Sequence, residues 1–181
     1  MIYVFLATGF EEVEALTVVD ICRRAALQVN MVSVCDDLSV VGAHGVTVHA
    51  DSLFDDNTYA DADLLFLPGG MPGADNLRNH AGLCDVIVKH YDTGKPLAAI
   101  CAAPFVYGEL RLLKGVKATC YPGFENKLDG AKLTGALVEK DGQFMTGKGP
   151  GAAFALGYMI VEHFCGAETA DALRKGMIYE A

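Results

Sequence analysis

Three short runs constrain this chain most: IYVFLA at 2–7, DADLLFLPGG at 61–70 and PLAAI at 96–100. Each is nearly continuous in apolar residues, which predicts strands covered on both faces. Such strands belong to a mainly parallel sheet. Helical patterns lie between them, so the predicted class is α/β with a mainly parallel central sheet. The 181 residues suffice for one domain with a sizeable core, and no linker, repeat or low-complexity tract divides them. One domain over 1–181 is expected.

The rest of the chain follows that alternation. EEVEALTVVDICRRAAL (11–27) reads as a helix, acidic at its start and basic near its end, as the helix dipole favours. VNMVSV (29–34) reads as a strand, and SVVGAHGVTVHAD (39–51) as a hairpin around a glycine-containing turn. Residues 74–92 predict one or two short helices with a break near Ala81-Gly82. A helix over 103–113 and a strand over 116–121 follow. KLTGALVEKDGQFMTG (132–147) carries Asp141-Gly142 between two runs, a hairpin signal. Helices over 151–165 and 168–175 close the chain.

Composition narrows the function classes. Hydrophobic residues make up 52% and charged residues 20%, a packed globular balance. The net charge of −9 disfavours nucleic acid and anionic membranes as partners. The N-terminus lacks the basic region of a signal peptide, and no apolar stretch reaches the ~20 residues needed to span a bilayer. A cytoplasmic protein is expected. The six cysteines (22, 35, 84, 101, 120, 165) form no CxxC pair, so neither a zinc site nor a disulfide framework is expected.

In open α/β sheets ligands sit at the carboxyl ends of the strands. ATGFEE, LPGGMPG and ICAAP stand there. Cys101 lies between the strand LAAI and a helix whose first turn takes Pro104, where a missing N–H costs nothing. A cysteine in a small-residue run is ordinarily a buried hydrophobe. At this seam, free N–H groups and the helix dipole favour a thiolate with a lowered pKa. The arrangement is akin to a strand–nucleophile–helix elbow.

Glu14 shares one helix face with Val18, Ile21, Cys22 and Ala25, while Glu11 and Glu12 are free to serve a solvated first turn. Two readings stand for Glu14. An inward carboxyl has a raised pKa and can hold or shuttle a proton beside a thiol. Alternatively, the carboxylate bends out to water. Gly69 and Gly70 open the backbone of LPGGMPG, so that the Gly70 N–H can face an oxyanion near Cys101, unless the pair is plain turn chemistry. LPGGMPG does not fit GxGxxG, and GKGPG (147–151) lacks Walker A spacing, so no nucleotide cofactor is expected. GKGPG reads as a tight entry to the last long helix, with Lys148 available to an anion. His44, His49, His80, His90 and His163 are scattered, and each reads as a surface or structural histidine.

GFEEVE with Glu14, LPGG at 67–70, AICAAP at 99–104 and GPG at 149–151 occur in an order and spacing that resemble the DJ-one/ThiJ/PfpI superfamily. The closest likeness is to its DJ-one/ThiJ (YajL-like) branch, over nearly the whole chain. The resemblance implies a flavodoxin-like three-layer α/β sandwich, a homodimer and no cofactor or metal. It implies a strained elbow at Cys101 that readily forms a sulfinic acid, with protonated Glu14 bonded to the sulfur. The backbone groups of Gly70 and Ala102, beside Gly69, match the oxyanion-side positions. Several members carry a histidine near the cysteine, and Tyr121 stands at that position here. Cys120, Tyr121, Pro122 and Lys148 are candidate lining residues. Ala102 directly follows Cys101, where the peptidase branch has histidine, which disfavours a Cys-His peptidase.

Two functions from different classes follow from the resemblance. One is a cofactor-independent glyoxalase or deglycase-like enzyme acting on methylglyoxal, glyoxal or their early adducts through the Cys101 thiolate. The other is an oxidative-stress sensor or redox-regulated chaperone that uses the same cysteine, with Cys120 as a candidate resolving thiol.

Overall fold

The computed structural model describes residues 1–179. β1 (Ile2–Leu6) is buried at all five positions, as its unbroken apolar run requires. α1 (Glu12–Arg24) follows and returns the chain to β2 (Val29–Ser33), which pairs parallel to β1 with Ile2 opposite Val29. α1 stops three residues short of the predicted end because Ala26 takes a positive φ of 59°. β3 (Ser39–Val41) and β4 (Thr47–His49) form the expected hairpin outside the main sheet. β5 (Ser52–Leu53) ends this half of the chain.

β6 (Leu64–Leu67) lies on the other side of β1. α2 (Gly73–Asn79) and α3 (Ala81–Asp92) are two helices, broken at His80, whose side chain accepts the Leu83 N–H at 3.0 Å. β7 (Leu97–Ile100) leads to α4 (Pro104–Glu109), shorter than predicted. The chain turns there at Arg111 with φ 60°. Only Lys117–Ala118 of the predicted 116–121 strand forms, as β8. It pairs with β9 (Lys132–Leu133) away from the main sheet. The reason is competition from distant groups: the Thr119 N–H is taken by Thr146 Oγ1 and the Tyr121 N–H by the Cys101 carbonyl. β10 (Val138–Asp141) and β11 (Phe144–Gly147) form the hairpin about Gly142, and α5 (Ala153–Cys165) and α6 (Ala167–Gly176) follow.

The main sheet runs β10-β11-β7-β6-β1-β2-β5, parallel except for the edge strand β10. One apolar cluster packs α1 and α5 on one face, around Val18, Ile21, Leu156 and Ile160. The other packs α2, α3 and α4 on the opposite face, around Leu77, Ile87 and Phe105. The strand order reverses at β1. From there the chain builds first toward β5 and then toward β11, and loops after β1, β6 and β7 meet at this carboxyl edge. Among the described residues, no helix is long and apolar enough to cross a membrane.

Candidate functional site

Cys101 leaves β7 with φ 63°, a left-handed conformation that costs a residue with a Cβ about 1–2 kcal/mol. Both of its backbone groups are anchored: its N–H donates to the Gly147 carbonyl at 2.9 Å and its carbonyl accepts the Tyr121 N–H at 2.8 Å. The surrounding structure thus holds the strain, and Pro104 opens α4 just beyond. The side chain is half-buried.

Glu14 sits in the first turn of α1 and is wholly buried, as its place on the apolar stripe predicts. Its Oε2 accepts the Gly69 N–H at 2.8 Å. Its Oε1 is buried and has no hydrogen-bond partner among the described residues. The carboxyl stands beside Cys101, and each group shifts the other's pKa. Gly69 makes this approach possible. A Cβ there would lie 2.6 Å from Cys101 Cβ, 2.7 Å from Glu14 Oε2 and 2.9 Å from the Ile100 carbonyl oxygen. The backbone N–H groups of Gly70 and Ala102 act on the sulfur, favouring its charged form. Gly69 plays a different part from them, since its N–H holds Glu14.

Burial raises the Glu14 carboxyl to about 7, helped by the nearby charge of Glu11 and opposed by the Gly69 N–H and the thiol. Burial, and then the Glu14 charge, push the Cys101 thiol up to about 12, against the pull of the Gly70 and Ala102 N–H groups. The expected lowering at a helix N-terminus is therefore overturned. Two N–H groups do not outweigh desolvation and an adjacent carboxylate. A proton on Glu14 removes that carboxylate's repulsion. The pair accommodates one negative charge, not two.

The other candidate residues divide. Tyr121 is 47% exposed and flanks Gly149, where a Cβ would lie 3.1 Å from its ring. Pro122 is exposed beside it. Cys120 is 5% exposed, packs into the cluster under α4, and has its thiol pushed up to about 11 by burial. Cys101 packs against the opposite cluster. Lys148 is engaged elsewhere, donating from Nζ to the Gly135 carbonyl at 3.1 Å. GKGPG forms the tight entry to α5 through a 3-10 turn at Pro150–Ala152. His44, His80, His90 and His163 each have a partner away from Cys101.

Glu12 departs from expectation. It is 6% exposed, not solvated. The β3–β4 hairpin covers it, with the N–H groups of His44 and Val46 on Oε1 at 2.8 and 3.3 Å. Helical periodicity cannot show this, because the covering groups lie 32 and 34 residues further along the chain.

An α/β protein with a cysteine at a strand–helix elbow and a buried carboxyl against it is the class that fold and site define. The chain belongs to the DJ-1/PfpI family, which matches residues 1–163. It is 39% identical over 167 residues to Protein DJ-1 homolog B of Arabidopsis thaliana, covering 91% of this chain and 38% of that protein. It therefore spans well under half of that longer relative. It is 33% identical to the Parkinson disease protein 7 homolog of Danio rerio over 179 residues, covering 97% of this chain and 95% of the relative. A Pyrococcus abyssi protein named a deglycase is 30% identical over 118 residues, covering 64% of this chain and 70% of the relative. The solved structure of oxidized Toxoplasma gondii DJ-1 superposes with a TM-score of 0.95 at 32% identity, covering 99% of this chain and 98% of that one. The flavodoxin-like sandwich is thus the fold of this chain.

Proposed function

We propose that this chain is a cofactor-independent enzyme of the glyoxalase or deglycase kind, acting on methylglyoxal, glyoxal or their early adducts. The observation that carries the reading is the buried Glu14 carboxyl, with one oxygen unpartnered, set against Cys101. The name of the Pyrococcus relative supports the same substrate class.

The proton inventory of the pair suits the chemistry. The thiol passes its proton to the Glu14 carboxylate as sulfur attacks the aldehyde carbon, forming the C–S bond. Protonated Glu14 returns that proton to the alkoxide, giving a hemithioacetal. The carboxylate then takes the proton from the former aldehyde carbon and delivers it to the neighbouring carbon through an enediol, leaving a thioester. The Gly70 and Ala102 N–H groups are placed to stabilise developing negative charge. Water cleaves the thioester, freeing lactate or glycolate and the thiol. No electrons leave the substrate: one carbon is oxidised and its neighbour reduced.

The test is lactate formed from methylglyoxal, without glutathione, by the wild type and by Cys101→Ser. Repeated turnover lost in the variant supports the reading. Absence of turnover in folded wild-type protein removes it.

One observation favours redox sensing as the second reading: Cys101 is half-buried, and the Gly70 and Ala102 N–H groups favour a charged sulfur, as they would an oxidised sulfur anion. The oxidized state of the Toxoplasma relative is in keeping with it. Peroxide treatment followed by intact mass distinguishes the two. A sensor adds oxygen atoms once at Cys101 and makes no product. We place the protein in the cytoplasm and pair it with a second copy of itself. α1 exposes Val13 and Leu16, and the adjoining hairpin exposes Val41 and Val46.

A further inference from the structure

Glu12 is the second buried carboxyl of α1, and the reaction outlined above does not use it. Its Oε1 accepts the His44 and Val46 N–H groups, and its Oε2 pairs with His44 Nδ1 at 3.0 Å. Gly42 leaves the space for it, since a Cβ there would lie 2.4 Å from the Glu12 carboxyl carbon. The same strip carries three more ties. Gly9 N–H donates to the Val41 carbonyl at 2.8 Å, Ala43 N–H to Phe10 at 2.8 Å, and Glu11 N–H to Gly69 at 2.9 Å. The hairpin, the loop after β1, the first turn of α1 and the Gly69 turn are therefore cross-linked. Burying a carboxylate is costly unless N–H groups meet it, and here two backbone amides and the His44 ring do. Burial works against its charge, but these bonds hold it below the usual carboxylate range. A helix start needs no such arrangement, because a solvated cap suffices.

We propose that Glu12 is a positioning residue for Glu14: by pinning the β3–β4 hairpin to the first turn of α1, it sets where the Glu14 carboxyl stands between Gly69 and the Cys101 sulfur. Glu12 itself touches neither the sulfur nor a substrate. The proposal deepens the reading of Cys101 and Glu14 as a reactive pair, but its readouts do not depend on turnover.

The experiment compares Glu12→Gln and Glu12→Ala by two measurements. One is the NMR shift of the Gly69 amide proton, which reports its bond to Glu14 Oε2. The other is the pH profile of Cys101 alkylation by iodoacetamide. In the wild type this profile is expected to inflect where Glu14 titrates, near 7. Glu12→Gln keeps the oxygen that both amides need, so both readouts stay at wild-type values. Glu12→Ala moves the Gly69 resonance upfield and removes the inflection. Above pH 7, where the Glu14 carboxylate pushes the thiol up in the wild type, its displacement speeds alkylation about tenfold for each unit by which the thiol pKa falls. Adding Glu12→Ala to Glu14→Gln then changes the alkylation profile no further.

An unmoved Gly69 resonance and profile in Glu12→Ala overturns the proposal, as does an effect that adds in full to that of Glu14→Gln. Should Glu12→Ala fail to fold, Glu12→Asp keeps the charge but retracts the acceptor by one methylene, and the same two readouts decide. If wild-type protein makes no lactate while Gly69 still responds to Glu12, the positioning role stands and the glyoxalase reading falls.

Discussion

Gly69 donates its N–H to Glu14 Oε2 at 2.8 Å while its α-carbon leaves no room for a side chain against Cys101. One residue thus orients the carboxyl and permits the thiol to approach it. Gly69→Ala forces a Cβ to within 2.6 Å of Cys101 Cβ and 2.9 Å of the Ile100 carbonyl oxygen, so sulfur, carboxyl or backbone must move. We expect about 1–3 kcal/mol of destabilisation, as for other overpacked sites. Activity should fall further than stability. Urea unfolding beside lactate formation checks this.

The raised pKa of Glu14 makes stability fall with pH. Its folded value of about 7 lies above the ordinary carboxyl value of 4.5, so between these the folded state holds a proton that the unfolded state has released. The contribution is fully present below about pH 4.5 and is lost as pH rises through about 7. Its size is about 3 kcal/mol at most, from 1.36 kcal/mol per unit. Glu14→Gln should flatten the urea midpoint across this window. A wild-type slope retained in the variant would falsify the assignment.

Strain at Cys101 can be measured apart from its chemistry. Cys101→Ala keeps a Cβ at φ 63°, whereas Cys101→Gly does not. Both delete the sulfur, so the pair isolates the backbone. The glycine variant should be the more stable by about 1 kcal/mol, the low end of the left-handed penalty. Equal melting temperatures would mean that the elbow is unstrained.

Tyr121 follows the elbow closely, its N–H on the Cys101 carbonyl and its ring 47% exposed. Tyr121→Ala removes that ring but keeps the N–H that donates to the Cys101 carbonyl. We expect KM for methylglyoxal to rise several-fold while kcat stays within about twofold, the sign of lost uniform binding. A large fall in kcat with KM unchanged would instead place Tyr121 in the chemistry.

The exposed residues Val13, Leu16, Val41 and Val46 predict self-association. Sedimentation should find a dimer in the wild type and a monomer in Leu16→Arg. A wild-type monomer at micromolar concentration would remove the pairing.

Much of this protein is determined by local order along the chain. Unbroken apolar runs at 2–7, 64–67 and 97–100 leave only strands covered on both sides, and these formed the centre of the sheet. Helical periodicity put Glu14 on the buried stripe, and the seam before Pro104 marked Cys101, because both signals lie within a few residues of the side chain concerned. The pKa of Cys101, the burial of Glu12 and the early end of β8 depended on groups distant in the chain. The thiol is raised by burial and by a carboxylate 87 positions earlier, where local sequence suggested only a helix dipole. Glu12 is covered by a hairpin at 39–49, and the strand at 116–121 yields its hydrogen bonds to Thr146 and Cys101. Desolvation and hydrogen-bond competition are properties of what surrounds a group in space, so tertiary structure alone decided them.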